Sequence, residues 1–248
     1  MKEKETKKLG ILLIVLLVIG LAWGYLYLVN RENDKVSTSD DVVTDISVVD
    51  ESDMLNMSEY IDTLPQEDLT DAEKEGLIQM REEEKLAHDV YTVLYQKWGQ
   101  NIFDNISDSE QTHTDSVKDL LVKYNIDDPV TDVSVGVFTS ADIEELYTAL
   151  VKQGKESLVE ALTVGATVED LDIYDLDILM EETDNEDILA VYQNLQKGSR
   201  NHLRSFTSLL SRNGVTYEPQ YISQEDYQSI VSTASENGVS YDSKGNRR

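Results

Sequence analysis

The sequence predicts an all-α protein built on four long helices. From about residue 70 to residue 212 apolar residues recur at spacings of three and four rather than two, the mark of amphipathic helices. Capping and stop residues punctuate that pattern. Four long helices of this kind are the material of an antiparallel bundle, and the connection between the second and third is long enough to be a crossover carrying a helix of its own.

The first thirty residues are a separate object. MKEKETKK, the expected cytoplasmic stretch 1–9 with its neighbour, precedes an uncharged run from Gly10 to Val29. As a helix that run spans the hydrocarbon core of about 30 Å. Lysines precede it and an acidic stretch follows, so the positive-inside rule keeps the N-terminus in the cytoplasm and exports the rest. The expected localisation is a cell membrane crossed once, with the C-terminal domain extracytoplasmic. A cleaved signal peptide is the competing reading, because Ala22-Trp23-Gly24 resembles a cut site, but cleavage there leaves Tyr25 to Val29 as an apolar stub. Residues 30–68 are polar and acidic without a sustained period, as expected of a flexible linker, although a short helix around Met57 to Leu64 fits the spacing.

The domain is expected over residues 69–232. Helix α1 starts at the capping box Thr70-Asp71-Ala72-Glu73 and runs to about Trp98, where Gly99 stops it. Helix α2 covers roughly Ile102 to Tyr124. PVTDVSVGVF is β-branched and reads as an extended connection leading to α3, from Thr139 or Ser140 to Gln153, closed by Gly154. Helix α4 covers about Glu156 to Glu182. Helix α5 opens at Asp184-Asn185 and ends at Arg212 before Asn213-Gly214. A short α6 follows near Gln224 to Val231, then a frayed tail, 233–248.

Composition excludes several functions. A formal charge of -28 repels nucleic-acid phosphates, so no nucleic-acid partner is expected. With no cysteine there are no disulfides, thiolate metal sites, lipoprotein anchor or thiol catalysis. Glycine-rich phosphate loops, serine-nucleophile elbows and internal repeats are not evident.

The buried stripes carry polar residues on the wrong face. In α1 the stripe is Leu77, Met80, Glu84, Ala87, Tyr91, Leu94 and Trp98, while Glu82 and Glu83 are free to point to water. In α2 it is Ile106, Glu110, His113, Val117, Leu120 and Tyr124. In α4 it includes Leu162, Gly165, Glu169, Asp172 and Leu176, and in α5 Leu195, Ser199, His202 and Phe206. An unpaired buried carboxylate costs several kcal/mol, so a convergent group of them requires a cation. A metal pair supplies it, and oxygen with imidazole suits iron or manganese once thiolates are excluded. Glu-x-x-His works because residues three apart share one helix face.

Each residue also has a plain structural reading. Glu110 closes a second capping box with Ser107 if α2 starts late; His113 alone reads as a hydrogen-bonded core or boundary histidine; His202, after Arg200 and Asn201, reads as capping a packing gap; Glu169 and Asp172 lie in an acidic run that usually marks a solvated face; His88 falls off the stripe, at the surface. The set favours function, since two of three histidines, with carboxylates, fall on stripes of four helices.

Glu84, Ala87 and Tyr91 followed by Glu110-x-x-His113 resemble the first half of a ferritin-like di-iron bundle. EEEKLAHDVY, NISDSEQTH, VGVFT, VGATVEDLDIYDL and GSRNHLRSF together resemble the prokaryotic ferritin-like family catalogued as domain of unknown function 2202, over roughly Leu77 to Tyr227. The resemblance implies a ferritin-like four-helix bundle with metal ligands at Glu84, Glu110, His113, Glu169 and His202. Ser199 departs from the pattern, standing where a second Glu-x-x-His has its carboxylate, and Asp172 is the candidate replacement ligand. The implied cofactor is two iron ions, with manganese as the alternative, and the implied activity is ferroxidase or peroxidase. Tyr91 is the candidate catalytic residue, placed to donate an electron or a hydrogen bond. The other class of function is a non-catalytic metal- or protein-binding module at the cell surface, with Glu110 and His202 bonded to Arg81, Arg200 or Arg204. Expected partners are the membrane, metal ions and, as an oligomer, a homodimer.

Overall fold

A computed structural model describes Met57 and residues 59–238. The expected cytoplasmic stretch, membrane span, most of the linker and the end of the tail lie outside the described residues. Among the described residues all regular structure is helical, and no helix is long and apolar enough to cross a membrane.

The capping chemistry sets the helix bounds. Helix α1 spans Asp71–Trp98: Thr70 and Glu73 form the reciprocal box, and Gly99 ends the helix in the left-handed region at φ 63°. Helix α2 spans Asn101–Lys123. It therefore starts six residues before Ser107, so the second capping box does not form and Glu110 stands in mid-helix. Helix α3 spans Ala141–Gly154 with Ser140 as its cap, α4 spans Leu158–Glu181 with Ser157 as its cap, and α5 spans Glu186–Arg212. The last, α6, spans Gln224–Val231. PVTDVSVGVF is irregular, with no strand. Gly154 closes α3 for a reason other than conformational freedom: a Cβ there would lie 2.6 Å from Leu94 Cδ2, so the glycine permits close approach to α1.

Cross-helix contacts fix the topology. Arg81 meets Thr114 and Thr92 meets Ser107, so α1 and α2 are antiparallel. Tyr91 reaches Gly165 whereas Gly76 faces Leu179, making α1 and α4 antiparallel as well. Asp172 pairs with Ser199, and Gln196 with Asp177, so α4 and α5 are antiparallel. Helices α2 and α4 must then run parallel. The chain joins them by a long crossover, residues 124–157, which contains α3.

The core is divided. Tyr91, Leu94, Phe103, Ile106, Leu162 and Phe206 belong to one apolar cluster, and Leu77, Met80, Val117, Leu176 and Leu195 to another. On α1, α2 and α5 the residues between those clusters are polar apart from Gly198, and on α4 Glu169, Asp170 and Asp172 interrupt the apolar residues. The second cluster takes in Met57 and Ile61, so packing begins before residue 69. At the other end Glu236 is held by Arg200, Arg204 and Asn201, so the tail is anchored on α5 through residue 236.

The crossover is clamped by α1. Glu82, expected in water, is buried and accepts hydrogen bonds from Thr139 N at 2.6 Å and Ser140 N at 3.1 Å, capping the entrance to α3. Lys85 donates to Asp89 and to Ser134 O, and Asp89 Oδ2 accepts from Gly136 N at 2.8 Å. His88, half-buried, lies 2.9 Å from Asp89 through Nδ1.

Candidate metal centre

Five polar side chains from four helices meet in the layer between the two apolar clusters: Glu84 of α1, Glu110 and His113 of α2, Glu169 of α4 and His202 of α5. Each is no more than 2 % exposed. Helical spacing explains the pair on α2, and the antiparallel register explains the rest: a residue in the middle of one long helix faces the middle of the next.

Glu110 lies at the centre of the group. Its Oε2 is 2.7 Å from His113 Nδ1, and its Oε1 is 2.8 Å from His202 Nδ1. The outer carboxylates complete two similar triads, with Glu84 Oε2 3.4 Å from His113 Nδ1 and Glu169 Oε2 3.4 Å from His202 Nδ1. The two imidazole rings are nearly parallel, 26° apart, with centroids 5.8 Å apart.

Despite these separations the atoms do not hydrogen-bond to one another. Both nitrogens of His113, both of His202, Glu110 Oε1 and Glu84 Oε1 are buried without a hydrogen-bond partner. Buried polar atoms are nearly always bonded, and leaving one unmade costs about 1–3 kcal/mol. Atoms 2.7 to 3.4 Å apart that do not point at each other can instead point at a common third atom. Two donors bound to one ion at about 2.1 Å lie at most about 4.2 Å apart, and all four carboxylate–imidazole distances satisfy that limit. Within Glu84–Glu110–His113, and again within Glu110–Glu169–His202, one potential ligand atom per residue lies within 4.8 Å of the others. The two groups share Glu110, and each has a donor set that fits a metal ion.

Without a cation, protons compensate the charge. Burial pushes Glu84 up to about 7 against the pull of His113. Burial likewise raises Glu169, helped by the Glu110 charge. Glu110 goes the other way: burial opposes its charge, but flanking His202 and His113 outweigh it and hold the carboxyl well below its ordinary range. Burial also disfavours charge on the histidines, yet Glu110 and Glu84 hold His113 well above its ordinary value, and Glu110 and Glu169 carry His202 up to about 9.

Around this group the remaining residues are positioned differently from one another. Tyr91 is fully buried; its hydroxyl donates to Glu169 Oε1 and to Gly165 O, and its ring packs on Phe206 with centroids 5.4 Å apart. Asp172 is outside both triads. It is half-buried and its Oδ2 accepts from Ser199 Oγ, so the serine holds the aspartate instead of leaving it to join the group. The arginines considered as partners for Glu110 and His202 are committed elsewhere: Arg81 to Asp128 and Thr114, Arg200 and Arg204 to Glu236. Gly198 is a residue the stripe pattern missed. A Cβ there would lie 2.5 Å from His113 Cε1, so the glycine makes room for the ring. A glycine inside a long helix was the available signal.

Fold and site together define a helical bundle with an enclosed carboxylate–imidazole cluster at mid-height. The profile of the family described as "Uncharacterized protein domain (DUF2202)" matches residues 73–234, and the chain belongs to that family. It is 58 % identical over 183 residues to "Uncharacterized protein MJ0754" of Methanocaldococcus jannaschii, covering 74 % of this chain and 99 % of the relative. The crystal structure of hypothetical protein MJ0754 superposes with a TM-score of 0.69 at 58 % identity, over 70 % of this chain and 99 % of that one.

Proposed function

We propose that the protein is a ferritin-like, two-metal carboxylate oxidoreductase that binds two iron ions, or manganese, and oxidises ferrous iron or consumes peroxide. We place it outside the cytoplasm on an N-terminal membrane anchor, which rests on the Gly10 to Val29 run. The observation that carries the reading is the convergence of three carboxylates and two imidazoles whose buried atoms leave one another unbonded. Parallel second and third long helices joined by a crossover support the ferritin-like assignment.

When bound, an iron pair supplies two one-electron donors side by side for the two-electron reduction of peroxide or dioxygen. The chain's own residues set the rest. Glu84, Glu110 and His113 would hold one ion, and Glu110, Glu169 and His202 the other. Tyr91 orients Glu169 through its hydrogen bond. In the metal-free protein burial pushes the Glu84 carboxyl up to about 7, so a bound cation would take the place of a proton there. The apolar clusters on either side exclude bulk water. Ser199 contributes no carboxylate, so Glu110 is the one residue common to the two triads.

Elemental analysis of the purified protein tests the proposal. About two iron or manganese ions per chain are expected, lost in the Glu110→Ala/His113→Ala variant, together with ferrous oxidation or peroxide consumption. A metal-free protein whose melting temperature ignores added iron would leave the non-catalytic module as the function.

A further inference from the structure

A cavity between α1 and α4 leads to the cluster from one side. Its inner wall is Glu84, Glu110 and Glu169, all buried. Its outer wall includes Glu83, Leu146 and Asp172, each half-buried. The three buried carboxylates belong to the cluster, and no lysine or arginine lines the cavity.

Two rim carboxylates belong to neither triad. Glu83 accepts from Gln79 Nε2 at 2.9 Å through Oε1, while its Oε2 is buried without a hydrogen bond. Asp172 accepts from Ser199 through Oδ2. Glu84, buried and with its Oε1 unbonded, lines the same cavity. Five carboxyl groups line the cavity with no lysine or arginine among its lining residues, so a cation entering it meets oxygen donors from the half-buried Glu83 and Asp172 through to the cluster.

We propose that Glu83 and Asp172 form the passage by which a divalent cation reaches the buried cluster, handing it to Glu84, with Leu146 of α3 as the apolar sill. The inference rests on the metal-centre reading and adds a route to it. Glu83 and Asp172 act on the rate of loading; the final ligands are the triads.

Stopped-flow mixing of the full metal-free chain with Co²⁺, followed by its visible absorption, tests this. The Glu83→Gln/Asp172→Asn variant is expected to load on the order of tenfold more slowly, with wild-type final stoichiometry and spectrum. Glu83→Gln alone, which leaves the Asp172–Ser199 bond intact, should give a smaller slowing, and Leu146→Trp, which narrows the cavity, should also slow loading. Wild-type rates in the double variant would overturn the passage while leaving the centre standing. Loss of stoichiometry in Glu83→Gln would overturn it by making that residue a ligand. If wild-type chain shows no cobalt spectrum that Glu110→Ala abolishes, the centre falls, and the passage with it.

Discussion

A methyl group at position 198 sets two effects of opposite sign against each other. In a helix interior Gly→Ala ordinarily stabilises by about 1 kcal/mol. Here the new Cβ would lie 2.5 Å from His113 Cε1 and 2.7 Å from Nε2. Carbon contacts are comfortable from about 3.5 Å, so the ring must retreat by roughly 1 Å, and overpacking of this kind costs about 1–3 kcal/mol. The net expectation for Gly198→Ala is a loss of up to about 2 kcal/mol, at about 2–4 °C of melting temperature per kcal/mol in a domain of this size. Because the displaced ring carries the Nδ1 that lies 2.7 Å from Glu110, metal affinity should fall on the order of tenfold or more. Thermal melts and metal titrations of Gly198→Ala, His113→Ala and the double variant separate the terms. With the ring gone the alanine should show its ordinary stabilisation, a coupling of about 1–3 kcal/mol. If Gly198→Ala stabilises equally with and without His113, the steric reasoning is wrong.

The metal-free protein should lose stability as pH rises, because Glu84 and both histidines bind protons more tightly folded than unfolded. Glu84 contributes a loss between its ordinary value near 4.5 and about 7. The His202 contribution is full below the ordinary imidazole value near 6.5 and is lost as pH rises through about 9. Urea midpoints of chelator-treated protein should therefore be lower at pH 9 than at pH 6.5, and added metal should flatten the difference; equal midpoints without metal would contradict the protonated cluster. Tyr91→Phe removes the donor to Glu169 and should cost about 1–2 kcal/mol in denaturant unfolding, with metal stoichiometry retained. Glu82→Ala strips the acceptor from Thr139 N and Ser140 N and should cost about 1.5–3 kcal/mol, with faster amide exchange at the start of α3 as the local signature.

Much of the fold was legible because its signals are local. The Thr70–Glu73 box, the Asn213-Gly214 stop and the apolar stripes act within a few residues of themselves, and the helices lie within two residues of where those signals put them. The convergence of Glu84, Glu110, His113, Glu169 and His202 could be anticipated because the middles of long antiparallel helices meet. Other assignments depended on partners far away in sequence. Glu82 and Glu83 look alike in EEE, yet one caps α3, whose first residues lie more than fifty positions on, and the other faces a cavity. Asp172 has the right spacing to be a ligand and is instead held by Ser199.

By itself, then, the sequence determined the helices, their buried faces and the polar layer crossing all four of the long ones, since a 3.6-residue period fixes which side chains share a face. Tertiary structure alone decided which members of that layer meet. A helix period says what points inward, while the crossover and the register between helices set what it meets, down to the glycine on α5 that leaves space for an imidazole on α2.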